Sequence, residues 1–164
     1  MSFRTERLAA ERLSLAHLGE LTMFYLDPEV TRYLGGIRSP AKTEEYLNAN
    51  LAHWDRYGFG LWVLRTADGA FAGRAGIRHV DVEGAPEVEI ACALRRDLWR
   101  RGLASEIAQA LVAIWRDRSL SPSLIGIASL ANEPSRRVLA KVGLSYERDV
   151  TYHGDFVALY RTTL

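Results

Sequence analysis

Glu87-Val88-Glu89-Ile90-Ala91-Cys92-Ala93-Leu94 and, shortly after it, Leu98-Trp99-Arg100-Arg101-Gly102-Leu103-Ala104-Ser105 are where the chain passes from one periodicity to another. In the first block Val88, Ile90, Cys92 and Leu94 alternate with Glu87, Glu89, Ala91 and Ala93, the two-residue period of a strand. From Leu103 onward the apolar residues Leu103, Ile107, Leu111, Ile114 and Trp115 repeat at helical spacing, which predicts a helix over Leu103–Arg118. The turn between them carries Gly102, Ala104 and Ser105, small enough for a ligand to reach the backbone. The first amides of the helix are unpaired donors at the positive end of its dipole, an arrangement that holds phosphate. Arg95, Arg96, Arg100 and Arg101 add positive charge nearby. The same residues also read as an ordinary strand-to-helix turn with solvated arginines. Neither GxGxxG nor GxxxxGK[ST] is present, so a Rossmann or P-loop nucleotide site does not fit.

Working outward, Leu124–Ser129 reads as a short strand, parallel to the one ending at Leu94 through a right-handed crossover. Asn132 caps a further helix with Pro134 in its first turn, Val138, Leu139 and Val142 facing inward, and Gly143 as a left-handed stop. Two terminal strands, Tyr146–Tyr152 and Phe156–Thr162, meet at His153-Gly154-Asp155. Toward the amino terminus the pattern is helical. Leu18, Leu21 and Tyr25 share a face, Asp27-Pro28 opens a short helix through Tyr33, and Ser39-Pro40 starts a longer one that stops before Gly58. A hairpin follows, Leu61–Arg65 and Phe71–Val80 around Ala67-Asp68-Gly69, then a polar loop over Asp81–Pro86. The expected order is helices, three strands, helix, strand, helix, two strands.

With 164 residues, 48% hydrophobic and 25% charged, the chain is expected to fold as one unit over 1–164. Its net charge of +1 provides no global field for nucleic acid or an anionic membrane, and only Lys42 and Lys141 among its 21 basic residues are lysines. One cysteine, Cys92, excludes an intramolecular disulfide framework, and His17, His53, His79 and His153 have no metal-ligand spacing. No metal is expected. The first residues are too charged for a signal peptide and no apolar run approaches the ~20 residues of a membrane span, which predicts a cytoplasmic protein.

The turn resembles the acetyl-CoA motif of the GNAT N-acetyltransferases, roughly [QR]-x-x-G-x-[GA], with Gly102 and Ala104 at the small positions and Trp99 in place of Gln or Arg. Trp at that position is similar to the branch of ribosomal-protein N-terminal acetyltransferases (RimJ/RimL-like), in which Gly often stands where this chain has Arg100. The resemblance extends to Thr5-Glu6-Arg7-Leu8, to Asp27-Pro28-Glu29-Val30-Thr31-Arg32-Tyr33-Leu34 and to the helix Asn132–Gly143, and so covers nearly the whole chain. It implies an α/β fold of α+β type: a mixed, mostly antiparallel sheet with a splayed parallel pair in the middle, flanked by helices. It implies acetyl-CoA as cosubstrate, its pyrophosphate on the backbone of Arg100, Arg101, Gly102, Leu103, Ala104 and Ser105. Leu94 is the implied backbone contact for the pantetheine arm, and Asn132 and Ser135 match positions that touch the cofactor. Asn132 is equally a helix cap.

Acyl transfer to an amine needs a neutral nitrogen, so the resemblance points to Glu89 as the base, with Glu87 raising its pKa by like-charge repulsion. Recognition of a cationic acceptor and a plain solvated strand face are the other readings of this pair. Cys92 lies on the opposite face and reads as core. A tyrosine common in the family after the Asn is here Leu139, which leaves Tyr146, Tyr152 or water to protonate the leaving sulfur. The expected acceptor is the α-amine of a protein or peptide; a small-molecule amine (polyamine, aminoglycoside or amino-acid-like) and a non-catalytic acyl-CoA sensor are the alternatives. Segments around Tyr33–Arg38, His79–Pro86 and Tyr152–Phe156 are expected to form the acceptor side. The chain is a monomer or a homodimer on this reading, with Trp62 as a candidate surface aromatic for a dimer.

Overall fold

The computed structural model describes residues 1–164. Eight strands, β1 (Phe3–Arg4), β2 (Ala9–Arg12), β3 (Leu61–Arg65), β4 (Phe71–Val82), β5 (Ala85–Leu94), β6 (Ser123–Ser129), β7 (Ser145–Tyr152) and β8 (Asp155–Thr163), form one sheet in the order β1-β2-β3-β4-β5-β6-β8-β7. Every pairing is antiparallel except β5 with β6. The helices are α1 (Leu18–Tyr25), α2 (Pro28–Thr31), α3 (Pro40–Tyr57), α4 (Leu103–Arg118) and α5 (Glu133–Lys141).

The caps explain the helix limits. Ser39 Oγ accepts the Lys42 N–H at 3.2 Å and Pro40 fills the first helical position of α3, which ends at Gly58 with φ 71°. Asp27 caps α2, which stops at Thr31, two residues short of the expected Tyr33. Along α4, Leu103, Ile107, Leu111 and Trp115 are all buried against the sheet; each such side chain contributes on the order of 2 kcal/mol.

Three expectations need correction. The amino-terminal residues before α1 are not purely helical: β1 and β2 lengthen the sheet, β2 pairing with β3 from Ala9↔Arg65 to Arg12↔Trp62. The polar loop at Asp81–Pro86 shrinks to Glu83-Gly84, both left-handed (φ 53° and 83°), the two-residue turn whose twist matches a hairpin. Asp81 steadies it by accepting the Gly84 N–H at 2.9 Å. Trp62 has 0% exposure and packs edge-on against Phe3 and Trp54, so it offers no surface for a dimer.

The register sorts the sheet into two faces. Arg74, Gly76, Arg78 and Val80 of β4 stand opposite Ala93, Ala91, Glu89 and Glu87 of β5 on one face. Tyr25 of α1 reaches Arg74 there. Helices α4 and α5 cover the other face, where Leu139 of α5 fills the space above Gly126; a Cβ on that glycine would lie 2.3 Å from Leu139 Cδ2.

Candidate active site

The parallel pair at the centre of the sheet is joined at a single position, Glu89↔Ile125. Beyond it β5 continues to Leu94 paired only with β4, and β6 continues to Ser129 paired only with β8. The Arg95 N–H bonds to the Ala72 carbonyl at 2.8 Å, which makes Gly73/Leu94 a non-hydrogen-bonded pair and, by alternation, Ala75/Cys92 another. The backbone N–H groups of Cys92 and Leu94 are thereby turned away from β4 and into the opening between the strands. The Leu94 carbonyl is already engaged: it accepts the Trp99 indole N–H at 2.9 Å. Of the two polar groups of Leu94, it is therefore the N–H that a ligand can use. The indole also explains what Trp99 does, since it ties the turn back to the strand end.

The turn itself is strained in a useful way. Arg100 has φ 60° and Gly102 φ 77°, both in the left-handed region. Glycine is the residue favoured at such a φ, so Arg100 sits where a side chain is disfavoured. Gly102 is the N-cap of α4 and has no side chain to satisfy the first turn, so the amides of Leu103, Ala104 and Ser105 stay available. Arg100, Arg101 and Gly102 are exposed, Ala104 and Ser105 half-buried and Leu103 buried. The N-terminus of α5 stands beside the same opening, because both helices follow the carboxyl ends of the two parallel strands. Asn132 Oδ1 accepts the Ser135 N–H at 3.3 Å and its own N–H bonds to the Ser129 carbonyl at 2.9 Å. Its Nδ2 is left without a protein partner.

Sequence reasoning attached no physical role to Thr5 and Arg7. Arg7 Nη1 donates to the Arg101 carbonyl at 2.7 Å, Arg7 Nε to Glu106 Oε2 at 2.7 Å, and Thr5 Oγ1 to Glu106 Oε1 at 2.5 Å. Burial pulls the Glu106 carboxyl upward, but the bonds from Thr5 and Arg7 outweigh it and hold the pKa below the ordinary value.

On the α1–α3 face, Glu89 is 5% exposed and its Oε2 accepts Arg78 Nε at 3.1 Å. Its Oε1 has no protein donor. Glu87 is held by Arg161 through two bonds, at 2.9 and 2.7 Å. Each carboxylate therefore has its own guanidinium, which overturns the expectation that the two glutamates act on each other by repulsion, and Glu89 is not on a solvated face. Burial and the Glu89 charge push the Tyr152 phenol up to about 12. Tyr146, by contrast, is exposed and donates to Asp149 at 3.1 Å. The Cys92 thiol is pushed up to about 11 by burial, unsuited to a nucleophile.

A cavity of about 540 Å³ opens at the end of β6, lined by Arg32, Tyr33, Gly36, Ser129, Asp155 and Phe156 among others. Two of the three expected acceptor segments meet in it. The third does not, because Glu83 closes onto β7 through Arg148 Nη1 (2.8 Å) and the Thr151 N–H (2.9 Å).

A parallel pair that parts beside two helix N-termini occupies the centre of the sheet, and residues 7–145 match the model of the acetyltransferase (GNAT) domain. The chain belongs to the GNAT acetyltransferases. It is 27% identical over 161 residues to the Bacillus subtilis protein YkkB, covering 94% of each chain. An acetyltransferase from Agrobacterium tumefaciens is 25% identical with a TM-score of 0.88, over 100% of this chain and 95% of the other. Two further acetyltransferases share the fold at lower identity. One is the Salmonella typhimurium acetyltransferase that modifies the N-terminal serine of a 50S ribosomal subunit protein (17%, TM-score 0.80, covering 98% and 96%). The other is an aminoglycoside acetyltransferase in complex with coenzyme A (16%, TM-score 0.78, covering 95% and 94%). As a GNAT acetyltransferase the chain is an acetyl-CoA-dependent enzyme with a mixed, mostly antiparallel sheet and one parallel pair. No helix is long and apolar enough to cross a membrane.

Proposed function

We propose that this GNAT enzyme acetylates a primary amine by direct attack, and that the acceptor is the α-amine of a protein or peptide. The observation that carries this reading is the single rung at Glu89↔Ile125: the strands part immediately beside a buried carboxylate that has one oxygen unpaired. Acetyl-CoA supplies the thioester. The backbone amides of Arg100–Ser105 bind its pyrophosphate, with the Arg100 and Arg101 side chains assisting, and Asn132 and Ser135 flank the same channel. The Leu94 N–H receives the pantetheine arm and the Cys92 N–H is directed to where the carbonyl oxygen gathers charge.

Glu89 Oε1 accepts the proton that the amine gives up, while Arg78 fixes the carboxylate through Oε2. An α-amine suits this base better than a lysine, since it titrates near ~8 rather than ~10 and loses its proton at lower cost. The side chain that takes the family's tyrosine position, Leu139, is buried above Gly126 and has no proton to give. Tyr152, held protonated beside Glu89, is the group that returns a proton to the leaving sulfur. A small-molecule amine is the second reading, favoured by the 540 Å³ cavity, whose size suits a compact acceptor as well as a peptide end. The enzyme works in the cytoplasm on this reading, as a RimJ/RimL-like member of its family.

A thermal shift with acetyl-CoA, against ATP and NADH, tests the donor. At a hundredfold excess over Kd one site adds about 2.7 kcal/mol. A selective shift followed by acetyl transfer in an amine and peptide screen supports the enzyme. Binding with no transfer to any amine supports the sensor, and no shift removes both.

A further inference from the structure

Next to Glu89, on the same face, sits a group of cations without counter-ions. Arg74 is 5% exposed, and its one protein bond is from Nε to the Tyr25 hydroxyl at 2.9 Å. Arg38 lies between two tyrosines, its Cζ 4.1 Å from the Tyr25 ring and 4.3 Å from the Tyr46 ring. Its Nη1 is buried with no partner, and so is the Tyr46 hydroxyl beside it. Of Arg38, Arg74 and Arg78 only Arg78 has a carboxylate, Glu89. Two guanidiniums without a carboxylate and one paired with Glu89 thus gather around Tyr25 and Tyr46.

Burying a guanidinium without a compensating charge is costly, and orphaned buried polar atoms are uncommon in folded proteins. Both features therefore call for a partner that the chain itself does not provide. The Tyr46 phenol responds to the same excess. Burial pulls its pKa up, yet Arg74, Arg78, the neighbouring Tyr25 hydroxyl and Arg38 together outweigh burial and bring it below the ordinary value. Arg74 stands opposite Ala93 and Gly76 opposite Ala91, both alanines small and half-buried, on the sheet face that also carries Glu89.

We propose that Arg38 and Arg74 form an anion subsite for the acceptor, which is an amine carrying a carboxylate or phosphate at a distance from its nitrogen. The proposal rests on the acetyltransferase reading and names the substrate class. Arg74 stands four residues along β4 from Arg78, so the anion site is offset along the strand from the Glu89 end, where the reacting nitrogen lies. The carboxyl end of a short peptide, an acidic side chain after the first residue and a phosphorylated amine each carry an anion displaced from the amine. Spermidine and aminoglycosides, being polycations, are disfavoured.

The test uses the full chain and matched acceptors that differ only in the anion. These are glycylphenylalanine and its C-terminal amide, and phosphoethanolamine and ethanolamine, with spermidine as the cationic control. Their transfer rates are measured in the wild type and in Arg38→Gln, and their binding to the coenzyme A complex by calorimetry. The expected result is at least a tenfold preference in kcat/KM for one anionic member, expressed in KM, that falls to near unity in Arg38→Gln while coenzyme A affinity stays the same. The pair that shows it identifies carboxylate or phosphate. Arg74→Lys, which keeps the charge, is expected to retain part of the preference. If Arg38→Gln weakens coenzyme A instead, the anion is the cofactor's and the proposal falls. It falls also if acid and amide bind and react alike, which would leave bridging water as the partner. Should none of the five be acetylated, tighter calorimetric binding of the anionic members keeps the subsite and removes the peptide α-amine as the acceptor; equal or absent binding removes the subsite too.

Discussion

Arg7 bonds at once to the Arg101 carbonyl and to Glu106, so a residue from the extreme amino terminus grips both the turn before α4 and its first helical turn. The amino-terminal strands thereby hold the amides proposed to bind the cofactor in a fixed array. Replacing Glu106 by Gln is expected to cost about 1 kcal/mol at neutral pH, the scale of a partly exposed charge-assisted network. Because the folded pKa of Glu106 is depressed, its contribution is present above the unfolded value near 4.5 and is lost as pH falls through the folded value. Denaturation midpoints of wild type and Glu106→Gln should therefore converge in acid. A gap that persists unchanged at pH 2 would assign the effect to packing.

Arg100 pays for a left-handed backbone that glycine adopts freely. Arg100→Gly is expected to raise stability by up to about 1 kcal/mol and to weaken acetyl-CoA binding, since strain and one positive charge leave together. Denaturant titration and calorimetry read the two effects separately. A loss of stability would show that the φ of 60° costs nothing.

Gly102→Val acts through backbone shape rather than bulk. A Cβ there meets only Arg7 Nη2, at 3.5 Å, so the substitution has space, yet a β-branched residue at φ 77° is disfavoured by roughly 1–2 kcal/mol. The folded variant should bind acetyl-CoA at least tenfold more weakly by calorimetry. Equal affinity would contradict the amide cradle.

Glu89→Gln should lower kcat tenfold or more near neutral pH with little change in acetyl-CoA affinity. The defect should shrink as pH rises past ~8, where an α-amine arrives already neutral. A loss that is uniform across pH points to binding rather than proton removal.

For Tyr152→Phe, a role in protonating the thiolate predicts a several-fold fall in kcat with KM for the amine conserved. The phenol of the wild type, pushed up to about 12, stays protonated over the whole working range, so no new inflection should appear in the pH profile. An unchanged kcat would hand the role to water.

Much of this architecture can be read from the chain before any coordinates. The α4 stripe, the Asn132 cap and the Ser39-Pro40 start are local signals, each complete within one turn of helix, and they fall where expected. What escapes is non-local. Ala9–Arg12 has little strand character and becomes one because β3 presents an edge to it. The alternation of Glu87 and Glu89 locates both side chains on one face, but their partners, Arg161 and Arg78, come from β8 and from across the β4–β5 register. For Trp62 the burial depends on Phe3, near the chain start, and on Trp54 from the helix before it, contacts with no trace in the residues around it.

The lone rung between β5 and β6 also divides the chain's bookkeeping of contacts along its length. One half-sheet, β1 through β5, is assembled entirely from residues 3–94 and the other, β6 through β8, entirely from residues 123–163. Within each half the hairpins β3–β4, β4–β5 and β7–β8 are local, low-contact-order steps that fold fastest, β2 and β6 reach their partners over longer stretches of chain, and the crossover helix α4 is the seam that brings the halves together. The cleft is thus the joint between two separately woven pieces of chain rather than a gap cut into one.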